Sequence, residues 1–371
     1  MPSLRKGGEK SETVPVLRRV LCARRVEKLL TEGNKMKKVL FATTALIATA
    51  GVASAEINFS GLGRFGIGYQ EDRIGSVPNI PTTTGQGTTA VVDTDDTILI
   101  SRFRLNIDGN AETDGGVEFS ARVRLQADEN AGNGEANTAS LSGARFSVIY
   151  GGLRVDAGNV SGAFDNLANY YGNEPGLESF IGQYSGVNYS FLAFSSTGAG
   201  SNAVFFQYAV GDFAFGASYD QATFAVGGVP QDADRWDVSA TYTFSNVTAA
   251  LAYGETDAGF GGSNPSLLVL TLGAEFGDFS GTVFVADDQT QIAATDGTAW
   301  GVSAAFNVGS ALTLTAAYGD GNADADTQQY GIGAIYDLGG GVSLRGGVGV
   351  SDCDICADSS TRADFGVQFN F

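Results

Sequence analysis

The sequence contains no histidine. That absence removes imidazole general bases, Ser-His-Asp and Cys-His arrangements and HExxH zinc sites, so the usual routes to hydrolytic chemistry at neutral pH are closed. Basic residues are scarce as well: 22 Lys+Arg stand against 41 Asp+Glu, a net charge of −19 with a pI near 4.3. A nucleic-acid binder needs a basic footprint, and this chain carries the opposite field. Long apolar runs are also missing. The mean hydropathy of +0.01 is far too low for a bundle of membrane helices. It does not exclude a membrane barrel, whose strands hide their apolar residues by alternation.

The N-terminal segment reads differently from the rest. A short basic start, Met36-Lys37-Lys38, leads into an apolar run from Val39 to Val52 and then Ala53-Ser54-Ala55, the three-part pattern of a cleaved secretory signal. The run is too short for a transmembrane anchor, which needs about 20 apolar residues. The expected organisation is therefore an extension over 1–35 preceding the true start at Met36, a signal peptide over 36–55, and a mature domain over 56–371. Residues 1–55 hold 11 of the 22 bases and 4 of the 41 acids, so 11 bases remain against 37 acids, a net of −26. All 11 are arginine. Such a chain suits an aqueous cavity better than an anionic lipid face.

From Glu56 onward, segments of 8 to 14 residues alternate apolar with polar or small side chains, the signature of half-buried strands. Trp236, Val238, Ala240, Tyr242 and Phe244 alternate with Asp237, Ser239, Thr241 and Thr243; Trp300 to Val308, Tyr330 to Tyr336 and Phe365 to Phe371 repeat the rhythm. Tight turns such as Gly211-Asp212, Ser245-Asn246 and Gly277-Asp278 alternate with longer acidic connections around 71–96, 130–138, 223–233, 257–264, 290–297, 320–326 and 353–359. Short turns at one end and long loops at the other predict an all-β, antiparallel transmembrane β-barrel. Counting segments gives about 16 strands, each long enough for the 9 to 11 residues a tilted strand needs to cross. A β-sandwich would not require a polar face on nearly every strand, and a β-solenoid would show a fixed short repeat, which is absent. Tyr69, Tyr150, Tyr219, Tyr253 and Tyr318 at strand ends fit an interfacial girdle.

Arginine placement carries the functional signal. Arg64, Arg102, Arg104, Arg122, Arg124, Arg145 and Arg154 fall on the first five strands, all on the polar phase. An arginine facing lipid near the midplane costs about 2 to 4 kcal/mol, so they should line the lumen as one cationic wall. The alternative is that inward acids such as Asp108, Glu118 and Asp156 merely neutralise them. One connection is outsized: 160–202 shows little alternation and carries Asp165, Glu174 and Glu178. Folded inward, it would narrow the lumen and set carboxylates opposite the arginines; folded outward, it would cap the mouth.

The stretches Leu141-Ser142-Gly143, Gly158 through Asp165, Asn202-Ala203-Val204 to Tyr208, Ile335 through Gly341, and the closing Ala363 through Phe371 resemble the general diffusion porins of photosynthetic and related alphaproteobacteria. The resemblance extends over 56–371. It implies a 16-stranded barrel in the Gram-negative outer membrane, a homotrimer, and a long third loop folded into the lumen as an eyelet. It would place the family's arginine cluster on Arg102, Arg104, Arg122 and Arg124 and the acidic loop on Asp165, Glu174 and Glu178. This loop has fewer acids than the family's usual eyelet loop.

Three lesser features complete the reading. Cys353 and Cys356 form a CxxC in a short acidic loop without the strand-to-helix setting of a redox site, so a local disulfide is expected in an exported chain. Asp320 to Asp326 imitates a calcium loop, but Ala325 stands where glycine is required and Gly331 where glutamate would be. No cofactor is expected; the loop acids leave open loose Ca²⁺ or Mg²⁺ bridging to lipopolysaccharide. Phe371, with Phe369, Val367 and Phe365 on its face, offers an apolar edge that must be paired and is the expected signal to the assembly machinery. The sequence thus predicts a passive pore, without enzymatic chemistry, for ions and small hydrophilic solutes. Mouth acids favour cations and the arginine wall opposes them, so a weak cation preference is expected. A substrate-specific channel, or a receptor or adhesin barrel with a plugged lumen, is the competing reading.

Overall fold

A strand with one greasy and one wet face leaves its backbone groups unpaired at any open edge, and in hydrocarbon that edge must be closed. The computed structural model describes residues 55–78, 89–191, 194–226, 229–257, 264–353 and 358–371. The extension expected over 1–35 and the signal peptide expected over 36–55 lie outside the described residues except for Ala55. All regular elements described are strands. In chain order they are β1 (Glu56–Gln70), β2 (Ile74–Pro78), β3 (Thr89–Asp93), β4 (Thr97–Glu112), β5 (Glu118–Asp128), β6 (Ser140–Leu141), β7 (Arg145–Tyr150), β8 (Leu153–Gly158), β9 (Ala203–Val210) and β10 (Phe213–Val226). There follow β11 (Val229–Phe244), β12 (Val247–Asp257), β13 (Ser266–Phe276), β14 (Phe279–Gln289), β15 (Gly297–Val308), β16 (Leu312–Gly321), β17 (Thr327–Gly339), β18 (Val342–Cys353) and β19 (Ser360–Asn370).

Neighbouring strands pair antiparallel, and β1 pairs with both β4 and β19, so the sheet closes on itself. β2 and β3 form a separate hairpin within the first long connection. β6 and β7 share the single partner β5 and make one stave between them. The result is a closed antiparallel barrel of 16 staves. Between the pairs Leu125–Leu141 and Arg122–Arg145, β5 has two residues while the facing strand has three, Ser142, Gly143 and Ala144. That extra residue is a β-bulge. It reverses the in-and-out phase, which is why Leu141 faces outward at one side of the break while Arg145 faces inward at the other, next to outward Phe146.

The outer face is apolar and bare: Leu99 is 73% exposed, while its neighbour Ile100 on the inner face is 2% exposed. At one end, tight turns of two or three residues use Gly151, Gly211, Gly277 and Gly309, all with positive φ, the conformation a tight right-twisted hairpin demands and glycine adopts freely. At the other end, 223–226 and 229–233 of the expected loop instead extend the strands, with Thr223 paired to Asp232 and Val226 to Val229. β-branched and aromatic residues there favour continued pairing over a loop. The first long connection packs on the segment after β5, where Arg73 donates to the Ala131 carbonyl and the Thr94 hydroxyl to that of Gly132.

Candidate functional site

Strand register gathers the seven predicted arginines on one inner wall. Arg64 stands opposite Arg102, Arg122 opposite Arg145, Arg104 opposite Gln126 and Arg124 opposite Asn106. Neutralisation is uneven. Arg122 is held by Asp108, Nε to Oδ1 at 2.5 Å and Nη2 to Oδ2 at 3.0 Å. Arg154 makes the same two-pronged contact with Asp156, and Arg102 reaches Asp128 at 2.5 Å. Among the described residues the Arg104 guanidinium donates only to Gln126, and that of Arg124 only to Asn106 and Ser196. Inward acids therefore neutralise part of the wall; Glu118 holds no arginine among the described residues.

The described parts of the predicted segment, 160–191 and 194–202, lie inside the barrel, laid along the wall opposite most of the arginines. Ala163 N donates to Ser218 Oγ on β10, Thr271 on β13 donates to the Ala168 carbonyl at 2.6 Å, and Asn173 N donates to Ser303 Oγ on β15 at 2.7 Å. The far end reaches β19, where the Leu177 and Glu178 amides both donate to the Asp364 carboxylate at 2.8 Å. The return leg is held by Asp288, which accepts from the Asn188 and Tyr189 amides. Its end meets the β6–β7 break, Gly143 N donating to the Gly198 carbonyl.

A dry core forms between the segment and this wall. Phe164, Leu167, Tyr170 and Tyr189 pack on Ala250, Ala252, Leu267, Val269, Phe284 and Ala286 of β12 to β14. Elsewhere the backbone rests directly on wall glycines: a Cβ at Gly301 would lie 1.9 Å from the Gln183 carbonyl oxygen, and one at Gly347 would lie 2.7 Å from Gly176 N. A buried ion pair anchors the near end. Arg235 donates from Nε and Nη2 to the two Asp237 oxygens at 2.8 Å, with its guanidinium 4.8 Å from the Phe191 ring centroid and within 6 Å of Phe164 and Tyr189.

The three predicted loop acids have different partners. Glu178 pairs with Arg64 at 2.6 Å. Asp165 accepts from the Tyr171 hydroxyl at 2.5 Å and Glu174 from that of Tyr184 at 2.8 Å, so neither touches an arginine. Burial pushes the Glu174 carboxyl above its ordinary range; the same effect outweighs the opposing pull of Arg64 at Glu178. Burial, then the Asp165 charge, raises the Tyr171 phenol.

The sequence reading missed two arginines of this wall. Arg345 and Arg362 also take the inner phase, on β18 and β19, and barrel closure brings these strands beside β1. Their position was readable only by treating the first and last strands as neighbours. Arg235 and Asp237 had a local signal, an ion pair two residues apart straddling an outward Trp236. Cys353 is disulfide-bonded; Cys356 lies outside the described residues. Phe371 exchanges backbone hydrogen bonds with Gly61, and its ring stacks on Phe103 at 5.9 Å, so it sits in the seam between β19 and β1. Among the described residues no group of three acidic, Cys or His side chains is arranged to hold a metal.

With this geometry in view, a family model of Gram-negative porins matches residues 42–354. The porin of Fuscovulum blasticum is 33% identical over 325 residues, spanning 85% of this chain and 100% of that protein. The porin of Rhodobacter capsulatus is 30% identical over 305 residues, 75% of this chain and 95% of that one. Among solved structures, a mutant of the Rh. blastica porin superposes with a TM-score of 0.66 at 29% identity, and a second with 0.67 at 28%; both comparisons cover 85% of this chain and 100% of the other.

Proposed function

Because this chain belongs to the Gram-negative porin family, we propose that its barrel is a water-filled outer-membrane channel through which ions and small hydrophilic solutes diffuse passively, sieved where the inserted segment faces the arginine wall. The observation that carries this reading is the asymmetry of the lumen. The segment binds one wall through a dry core, while Arg102, Arg104, Arg122, Arg124, Arg145 and Arg154 on the other remain partly exposed. Arginines without a carboxylate, such as Arg104, Arg124 and Arg145, are costly to hold away from water, which supports an aqueous path past them.

The finer parts of the proposal are these. The chain is exported by a signal peptide ending at Ala55, and the mature protein starts at Glu56. It assembles as a homotrimer among outer-membrane lipids and lipopolysaccharide, with Phe371 read by the assembly machinery. Arg64, Arg102, Arg104, Arg122, Arg124, Arg145 and Arg154 face Asp165, Glu174 and Glu178 across the constriction, and the pore carries out no catalysis. Selectivity is weak, since the acidic mouth draws cations and the wall holds anions.

Purified protein in planar bilayers tests the channel. Stepwise conductance rising in proportion to KCl concentration is expected, together with liposome swelling that slows as the sugar probe grows. A folded barrel that inserts but passes no current would overturn the proposal in favour of a plugged receptor.

A further inference from the structure

Five arginines among the described residues hold a carboxylate. Arg104, Arg124 and Arg145 hold none. The first two donate only to neutral acceptors, and Arg145 Nε is buried with no partner. The three form a diagonal across consecutive staves: Arg104 faces Gln126 and Arg145 faces Arg122, each of those being two residues from Arg124 along β5. Diagonal neighbours of this kind lie about 7–8 Å apart at Cα, well within mutual reach of long side chains. The nearest acids are already engaged, Asp108 by Arg122 and Asp128 by Arg102 and Gln126. Asp156 is likewise held by Arg154, so the three arginines share a wall on which every nearby carboxylate is already paired to another arginine.

Their placement is built by the fold. Without the bulge at Ser142 to Ala144, Arg145 would take the opposite phase and face lipid, at a cost of about 2 to 4 kcal/mol near the midplane. With it, Arg122, Arg124 and Arg145 line a shallow recess, enclosing only about 20 Å³ and otherwise open to solvent, together with Ser142, Asn159 and Ser195. The return leg of the inserted segment closes one side, Asn159 Nδ2 donating to the Ser195 carbonyl at 2.7 Å.

We propose that Arg124 and Arg145 form the seat of a binding site for a phosphate-type oxyanion, with Arg104 as its approach along the wall. The guanidinium is a planar fork of donors matched to paired oxygens. A single carboxylate satisfies one fork and leaves the rest of the diagonal uncompensated, and chloride, a point charge, uses none of the fork geometry. A doubly charged group with three or four acceptor oxygens engages two forks at once. The inference deepens the channel reading and rests on it in one respect: the anion reaches the wall through the lumen.

The test uses the full barrel, purified in detergent and in bilayers, with inorganic phosphate and glycerol phosphate as probes. Calorimetric titration in detergent should find phosphate binding that weakens at least about tenfold in the Arg124→Gln/Arg145→Gln variant, two charge-assisted forks being lost. In bilayers, phosphate should reduce wild-type chloride conductance in a saturable way, and whatever chloride conductance the variant has should no longer respond to phosphate. The Arg124→Lys/Arg145→Lys pair keeps the charge and loses the forks; it should bind phosphate weakly in the titration. Binding of either probe supports the site, and whichever binds names the phosphate source. Phosphate binding equal in wild type and the glutamine variant, or no tighter than chloride, overturns the proposal. A wild type that fails to conduct overturns the channel reading instead, while the titration in detergent still decides the site.

Discussion

On β4 and β5 the inner positions carry Arg102, Arg104, Asn106, Asp108, Arg122, Arg124 and Gln126. On β13 and β14 the same phase carries Leu267, Val269, Thr271, Phe284, Ala286 and Asp288. Both pairs of strands belong to one barrel and obey one alternation, yet one inner face is wet and the other dry. Leu267, Val269 and Phe284 are 0% exposed, each burial worth about 1.5–3 kcal/mol. What a barrel strand shows the lumen is thus set by what it faces there, water or the inserted segment.

The harshest way to break the contrast is to unseat the segment from its dry wall. Arg235 and Asp237 are 4% and 1% exposed and share two hydrogen bonds, and Ser218 donates a third to Asp237. Arg235→Ala strands a buried carboxylate and removes the cation beneath Phe164, Tyr189 and Phe191. A loss of about 3–5 kcal/mol is expected, read as a lower unfolding midpoint of the purified barrel. Arg235→Met combined with Asp237→Leu should recover most of it, since an apolar pair leaves no orphan charge. A double variant as unstable as the single one would mean that the pair itself, rather than an unpaired acid, holds the segment.

A smaller perturbation sets the dry wall against a free outward position, Gly109 on the phase of Phe103, through single methyl groups. A Cβ at Gly301 collides with the Gln183 carbonyl, and the wall backbone at Tyr318 blocks retreat at 2.7 Å, whereas a Cβ at Gly109 on β4 meets nothing within 4 Å. Gly301→Ala should cost about 1–3 kcal/mol by overpacking and alter single-channel conductance by shifting the segment. Gly109→Ala should stay within about 0.5 kcal/mol with conductance unchanged. Equal effects at both positions would deny that the segment bears on the wall.

Much of this contrast can be traced back to the chain. Alternation placed the staves, turn glycines such as Gly211 and Gly277 placed the tight ends, and loss of alternation after Val160 marked the segment. Ser266 to Phe276 was apolar on both faces, as in Leu267-Leu268-Val269-Leu270, a pattern that belongs to a strand covered on both sides. Read with that rule, it locates the dry wall. Three features escaped local reading. The bulge beside Arg145 is a property of pairing between strands, since nothing in Ser142-Gly143-Ala144 alone fixes a one-residue slip. Arg345 and Arg362 join the wall only through closure. The ion pairs of Asp108 and Asp128 depend on register, which sets the partner of each across strands, whereas Asp156 pairs with Arg154 two residues away on its own strand.

The mildest probe is pH, because it acts on the segment's charges and leaves both walls intact. Glu174 and Glu178 have carboxyls raised by burial, so their charged forms are the ones the site disfavours, and they take up protons at a higher pH than exposed acids do. On acidification the negative side of the constriction fades first, while arginines on the facing wall stay charged. Reversal potential in a KCl gradient should therefore move toward anion preference while the mouth acids are still ionised, with the main change above the ordinary carboxylate range near pH 4 to 4.5. Glu174→Gln with Glu178→Gln should produce that shift at neutral pH and flatten the profile through the same window. A profile that moves only where exposed acids titrate, identical in the double variant, would place the selectivity at the mouth and leave the contrast between the walls without a role in permeation.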